Sequence, residues 1–129
     1  MNPLMKNKAF ILEYFNNVSG QAKTDELLAQ YISDNVLIEH ILFFESIFPQ
    51  YEFIADEMTA EGNRVVVRAH KIGKHEGVFG EIQPTHRTVQ IPFVISYTVE
   101  NRKIVSHWII ADQTTLMEQL GVEPALAAH

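Results

Sequence analysis

Apolar residues follow a helical spacing up to Pro49 and a strand-like alternation after it. Leu4, Ile11, Tyr14, Phe15 and Val18 form one stripe that ends near Ser19-Gly20 and predicts a first helix. Thr24 is a suitable N-cap for a second, with Asp25 and Glu26 in its first turn and Leu27, Leu28, Tyr31 and Ile32 on its apolar side. Ser33 or Asp34 starts a third, whose Leu37, His40, Ile41, Phe44, Ile47 and Phe48 point one way until Pro49 stops it. Tyr51 to Ala60 and Arg64 to Ile72 then read as strands flanking the turn Glu61-Gly62-Asn63. A Gly-rich loop, Gly73 to Pro84, leads to Thr88–Glu100, where Val89, Ile91, Phe93, Ile95, Tyr97 and Val99 share a face. Asn101-Arg102 turns the chain into a last strand, Ile104 to Ala111. Helices followed by an antiparallel meander predict an α+β fold with helices covering one face of a curved sheet, in one domain spanning residues 1–129.

The last strand carries the first candidate chemistry. Strict alternation puts Trp108, Ile110 and Asp112 on one face and His107, Ile109 and Ala111 on the other. An acid that ends an apolar face beside the chain's single Trp is set for desolvation, which raises a carboxyl pKa and suits it to acid/base work. A structural role competes: Gln113–Leu120 reads as a helix closed by Gly121, with Asp112 as its N-cap, unless Thr115 and Glu118 form a capping box instead. The hairpin holds a second acid. A two-residue turn sets Glu57 opposite Arg68 and turns Asp56 toward Val65, Val67 and Ala69; a three-residue turn reverses the two.

Charge and composition narrow the partners. A formal charge of −6 with ten scattered Lys and Arg residues argues against nucleic acid. Lys71, Lys74 and His75, near Arg87 in sequence, read as a solvated loop. With no cysteine there is no disulfide and no Cys-ligated metal, and no pair of the six His has a ligand spacing with a carboxylate, so no metal site is expected. No apolar run nears membrane-spanning length, and Met-Asn-Pro-Leu-Met-Lys-Asn-Lys is not followed by a signal-peptide core. The expectation is a cytoplasmic protein without a membrane partner.

Phe48-Pro49, Ala60-Glu61-Gly62-Asn63-Arg64-Val65, Gly73-Lys74-His75-Glu76-Gly77-Val78-Phe79-Gly80, Pro84-Thr85, Lys103-Ile104-Val105-Ser106-His107-Trp108, Asp112 and Leu116 to Gly121 follow one another in order. Together they resemble the SnoaL-like polyketide cyclase group of the NTF2-like superfamily, over residues 38–121. The resemblance implies a conical α+β barrel around a deep apolar pocket, often a homodimer through the outer sheet face. It maps the group's pocket aspartate onto Asp112, which would work without a cofactor on an apolar carbonyl compound in a cyclase or isomerase reaction. The alternative is a non-catalytic module that binds a small hydrophobic ligand. Trp108, Ile110, Phe93, Phe79, His75 and His40 are the candidate pocket residues. His75 lies either at the pocket rim or on a solvated loop, Phe79 is the lid aromatic, and Phe93 and Ile110 line the pocket or belong to plain core. Relatives carry an extra strand with a His-bearing motif between the second and third helices. Here Tyr31-Ile32-Ser33-Asp34-Asn35 runs directly on. His40 either replaces the missing polar group or is a satisfied core residue. His107 is assigned to the outer face or a dimer interface.

Overall fold

A computed structural model describes residues 2–122 of the chain. Three helices, α1 (Pro3–Val18), α2 (Asp25–Ala29) and α3 (Asn35–Ile47), precede four strands, β1 (Glu52–Glu61), β2 (Arg64–Lys74), β3 (Thr88–Glu100) and β4 (Lys103–Ala111). A short α4 (Gln113–Leu120) follows. The strands form an antiparallel meander in the order β1-β2-β3-β4, and the helices pack on its inner face, giving the expected α+β architecture.

Helix α1 begins where Asn2 accepts a hydrogen bond from the Met5 amide and Pro3 takes the first turn. It buries Phe10, Ile11, Tyr14, Phe15 and Val18 against the sheet, with Phe15 edge-on to Phe53 at 4.7 Å and Tyr14 edge-on to Tyr97 at 6.0 Å. Each such side chain contributes about 1.5–3 kcal/mol of transfer free energy. Helix α2 is shorter than its apolar spacing suggests. Tyr31 and Ile32 leave it, and Ile32 makes a single parallel bridge to Ile104.

Two β-bulges decide which residues face inward. The β1–β2 turn has two residues, and Glu57 lies opposite Arg68 as that turn requires, with an ion pair at 3.6 Å. The register then slips between Ala55 and Glu57, so Asp56 is the extra residue. It turns outward to bond His70 Nδ1 at 2.9 Å, and neither hairpin acid faces the apolar side. The second slip falls between Thr98/Ser106 and Val99/Ile104, leaving Val105 unpaired on β4. Ile104 points inward before the bulge; beyond it His107, Ile109 and Ala111 lie opposite Tyr97, Ile95 and Phe93 on the inner face. Trp108 and Ile110 are therefore on the outer face, 48% and 68% exposed. The parity expected for β4 holds, but the bulge reverses which side is inside. His107 accordingly faces the helices and not an outer surface.

Candidate functional site

The inner sheet face, α3 and the loop after β2 enclose a cavity of about 180 Å³. Phe43, Phe44, Phe79, Ile91, Ile109 and Leu116 supply apolar wall, and His40, Lys71 and Asp112 supply charge or titratable groups. A hollow of about 20 Å³ lies deeper, against Tyr14, Tyr51, Phe93 and Tyr97. His40, Lys71 and Ile109 line both spaces.

Three local devices set this geometry. Asp34 caps α3 by accepting from the Val36 and Leu37 amides at 3.0 and 3.2 Å, while its other oxygen bonds His107 Nδ1 at 2.6 Å. That clamp ties the start of α3 to β4 and fixes where His40 stands, a turn and a half along the helix. The far end of α3 is tied by the loop: the Glu76 and Gly77 amides both donate to the Ile47 carbonyl at 3.0 Å. Gly77 is obligatory, because a Cβ there would overlap the Ser46 carbonyl oxygen. The loop is thereby held so that Phe79 covers the cavity, edge-on to Phe43 at 6.3 Å. Helix α4 is held by the Gln119 amide, which accepts from the Gln90 N–H at 2.6 Å and donates to the Gln90 carbonyl at 2.8 Å.

Asp112 begins α4 at the cavity mouth. One carboxylate oxygen accepts from the Thr115 amide at 2.9 Å and the other from the Thr115 hydroxyl at 2.7 Å. The Thr115–Glu118 capping box does not form; Asp112 is the cap. Thr115's hydrogen bonds hold the carboxyl below its usual range, the opposite of the rise that a desolvated strand-face acid would show. The side chain is exposed and also borders an outer groove lined by Asp56, Arg68, Pro92, Val94 and Ile110.

His40 stands on the cavity rim, open to solvent on one side and covered by protein on the other, with neither ring nitrogen hydrogen-bonded among the described residues. Lost hydration, then the neighbouring Lys71 ammonium and the His107 imidazole, push its pKa down, so it is neutral at pH 7. Phe79 and Phe93 line the larger and the deeper space respectively, whereas Trp108 and Ile110 line neither. His75 is neither a rim nor a solvated residue. It is fully buried against the Phe48 ring at 5.6 Å, and its Nδ1 accepts from the Thr85 amide at 3.1 Å. It fastens the Gly-rich loop, and burial lowers its pKa.

Lys71 is also misplaced by the assignment to a solvated loop. It lies on β2, 7% exposed, with Nζ 4.3 Å from the Phe44 ring centroid and 4.9 Å from that of Phe93. Burial lowers its pKa from 10.5 to about 8. The sequence held the signal: Lys71 continues the inward alternation Val65, Val67, Ala69. Among the described residues no three His, Asp or Glu side chains are grouped to hold a metal ion, and no helix is long and apolar enough to cross a membrane.

The family model for SnoaL-like polyketide cyclases matches residues 22–120. The chain belongs to the SnoaL-like polyketide cyclase family. Solved structures share the NTF2-like fold of this SnoaL-like chain. AclR, a candidate hydroxylase from Streptomyces galilaeus, superposes with a TM-score of 0.78 at 20% identity, covering 97% of this chain and 89% of AclR. A candidate SnoaL-like polyketide cyclase from Jannaschia sp. CCS1 gives 0.74 at 21% identity, covering 96% and 98%. A candidate polyketide cyclase from Acidithiobacillus ferrooxidans gives 0.79 at 17% identity, covering 94% and 98%. At such identities the likeness establishes the fold. No curated protein sequence matches the chain.

Proposed function

We propose that this SnoaL-like protein is a cofactor-independent enzyme that transfers protons on an apolar carbonyl compound, with Asp112 as the acid/base group and a cyclase or isomerase outcome. The observation that carries this reading is an ionised carboxylate at the mouth of an aromatic-walled cavity. Its lowered pKa restricts the substrate. So weak a base removes only an activated proton, such as one on carbon between two carbonyls. Asp112 takes that proton and the electron pair becomes an enolate. In a cyclase the enolate carbon bonds a second carbonyl carbon of the same molecule, and the new alkoxide recovers the proton from Asp112. In an isomerase the proton returns to a different carbon. In that outcome His40, neutral and lining the same cavity, would be the relay. The exposed apolar side chains Trp108, Ile110 and Ile54 on the outer sheet face favour pairing of two copies there.

A second reading, a carrier of a hydrophobic ligand, is favoured by one feature: both Asp112 oxygens already serve as the cap of α4. Deuterium exchange at the central carbon of benzoylacetone, an aryl β-diketone, separates the two. Asn caps helices as well as Asp, so Asp112→Asn keeps the fold while removing the base. Wild-type protein accelerates exchange, and the variant is slower by at least roughly a hundredfold. Equal exchange in both overturns the role of Asp112, and binding without any exchange establishes the carrier.

A further inference from the structure

Among the described residues two lysines are buried, and only one has partners there. Lys23, 4% exposed, donates to the carbonyls of Gln21 and Tyr51 at 2.9 and 2.7 Å and lies 3.4 Å from the Glu45 carboxylate. It ties the start of β1 to α3. Lys71 ties nothing. Among the described residues its Nζ has no hydrogen-bond acceptor and no carboxylate within ion-pair distance. Its surroundings are the rings of Phe44 and Phe93, with Tyr51 at 5.9 Å, and the two spaces it borders. The aromatic faces return part of the hydration that the ammonium loses, but they supply no counter-charge. A cation left unpaired at a cavity wall has its complement in whatever enters the cavity.

We infer that Lys71 is the electrophilic residue of this site, and that its ammonium pairs with an oxyanion on an otherwise apolar ligand: the enolate oxygen of a β-dicarbonyl compound. The inference rests on the cavity being the ligand site, as proposed above, and adds the donor that a lone carboxylate base lacks. No bond forms to nitrogen. Nζ–H donates to the ligand's carbonyl oxygen; as Asp112 takes the carbon-bound proton, negative charge gathers on that oxygen beside the ammonium, and it disperses when the proton returns. The other titratable groups lining these spaces are Tyr14 from α1, His40 from α3, Tyr51 just before β1, Tyr97 from β3 and Asp112 at the β4–α4 corner. Burial raises the pKa of all three phenols and keeps them neutral, so among the described residues lining these spaces only Asp112, at the mouth, carries opposite charge. The phenyl faces offset part of the burial that lowers the amine's pKa, and at about 8 the amine stays protonated at pH 7, which suits an ion-pairing role.

The test uses two matched probes, 4-nitrophenolate, whose oxygen carries the charge of an enolate, and 4-nitroanisole, in which that oxygen is methylated and cannot ionise. Absorbance titrations compare wild-type protein, Lys71→Met and Lys71→Arg, each checked for folding by circular dichroism. Wild-type protein binds the phenolate at least roughly tenfold more tightly than the anisole, a difference of about 1.4 kcal/mol. Lys71→Met abolishes that preference with anisole affinity unchanged, and Lys71→Arg retains it. A phenolate preference that survives in Lys71→Met overturns the inference. So does anisole binding without phenolate preference in the wild type, which leaves the cavity intact as a ligand site. Failure of both probes to bind overturns the cavity reading along with it.

Discussion

Replacing Lys71 by Met should make the protein more stable at neutral pH. Met fills nearly the same volume and needs no hydration. The ammonium's pKa falls from 10.5 to about 8 on folding. At 1.36 kcal/mol for each pKa step, the difference of 2.5 amounts to about 3 kcal/mol of lost stability at pH 7. Contact with the Phe44 and Phe93 rings offsets part of this, about 0.5–2 kcal/mol. The expected net gain for Lys71→Met is therefore about 1–3 kcal/mol. The pH dependence is the sharper readout. A lysine whose folded pKa is depressed binds fewer protons folded than unfolded between pH 8 and 10.5, so wild-type stability rises with pH through that window. Urea unfolding at pH 7 and pH 9.5 should show the wild type gaining about 2 kcal/mol relative to Lys71→Met. The upper limit stays below the ordinary tyrosine pKa of 10.0, so Tyr14 does not intrude. With the Lys71 charge removed, the His40 imidazole pKa should also climb, because that charge helps to lower it. A variant destabilised by more than about 1 kcal/mol, with no pH-dependent difference, would mean that Lys71 is paired within the fold and not an unpaired buried cation.

Asp112 should titrate below its ordinary 3.8, read by carboxyl-carbon NMR with Asp112→Asn to assign the signal. Its cap contribution is present above that ordinary value and lost as pH falls through the lowered one, and exchange activity should follow the same limb; a midpoint above 3.8 would contradict the cap geometry. Gly77→Ala should cost more than about 3 kcal/mol in thermal unfolding, since the Ser46 carbonyl leaves no room for a Cβ. A loss under about 1 kcal/mol would mean that the loop detaches from α3 without consequence. If two copies pair through the outer sheet face, the wild type should sediment as a dimer and Trp108→Glu as a monomer, and equal sedimentation of the two at matched concentration would exclude that face as the contact.

The order of elements was legible because each has a local cause. Pro49 stops α3, Thr24 and Asp34 cap, Asn101 and Arg102 take the positive φ of a tight hairpin turn, and β3 alternates without interruption. The site was less legible, and both failures of facing have one origin. Counting from the Glu100–Lys103 pair in strict alternation places Trp108 and Ile110 inside; a single extra residue, Val105, puts them outside and brings His107, Ile109 and Ala111 in. Asp56 is displaced in the same way at the β1 bulge. No residue at either bulge is a Gly that would have flagged it. His75 and Lys71 were misread for a different reason. Polar residues beside a Gly-rich stretch suggest solvent, whereas Lys71 still belongs to a strand and His75 is locked by Thr85, ten residues on. The N-cap role of Asp112 was open from the sequence, and the Thr115 contacts decide it.

Ligand entering by way of the proposed site sits in the cavity beneath Phe79 and not in the groove on the outer face of the sheet. Amide chemical-shift mapping with benzoylacetone distinguishes the two locations. Binding in the cavity perturbs Phe43, Phe44, Phe79, Ile109 and Leu116, which wall it, and leaves Val94 and Arg68 in the outer groove unmoved. Shifts confined to Arg68, Val94 and Ile110, or none at saturating probe, would mean that the cavity is not the ligand site.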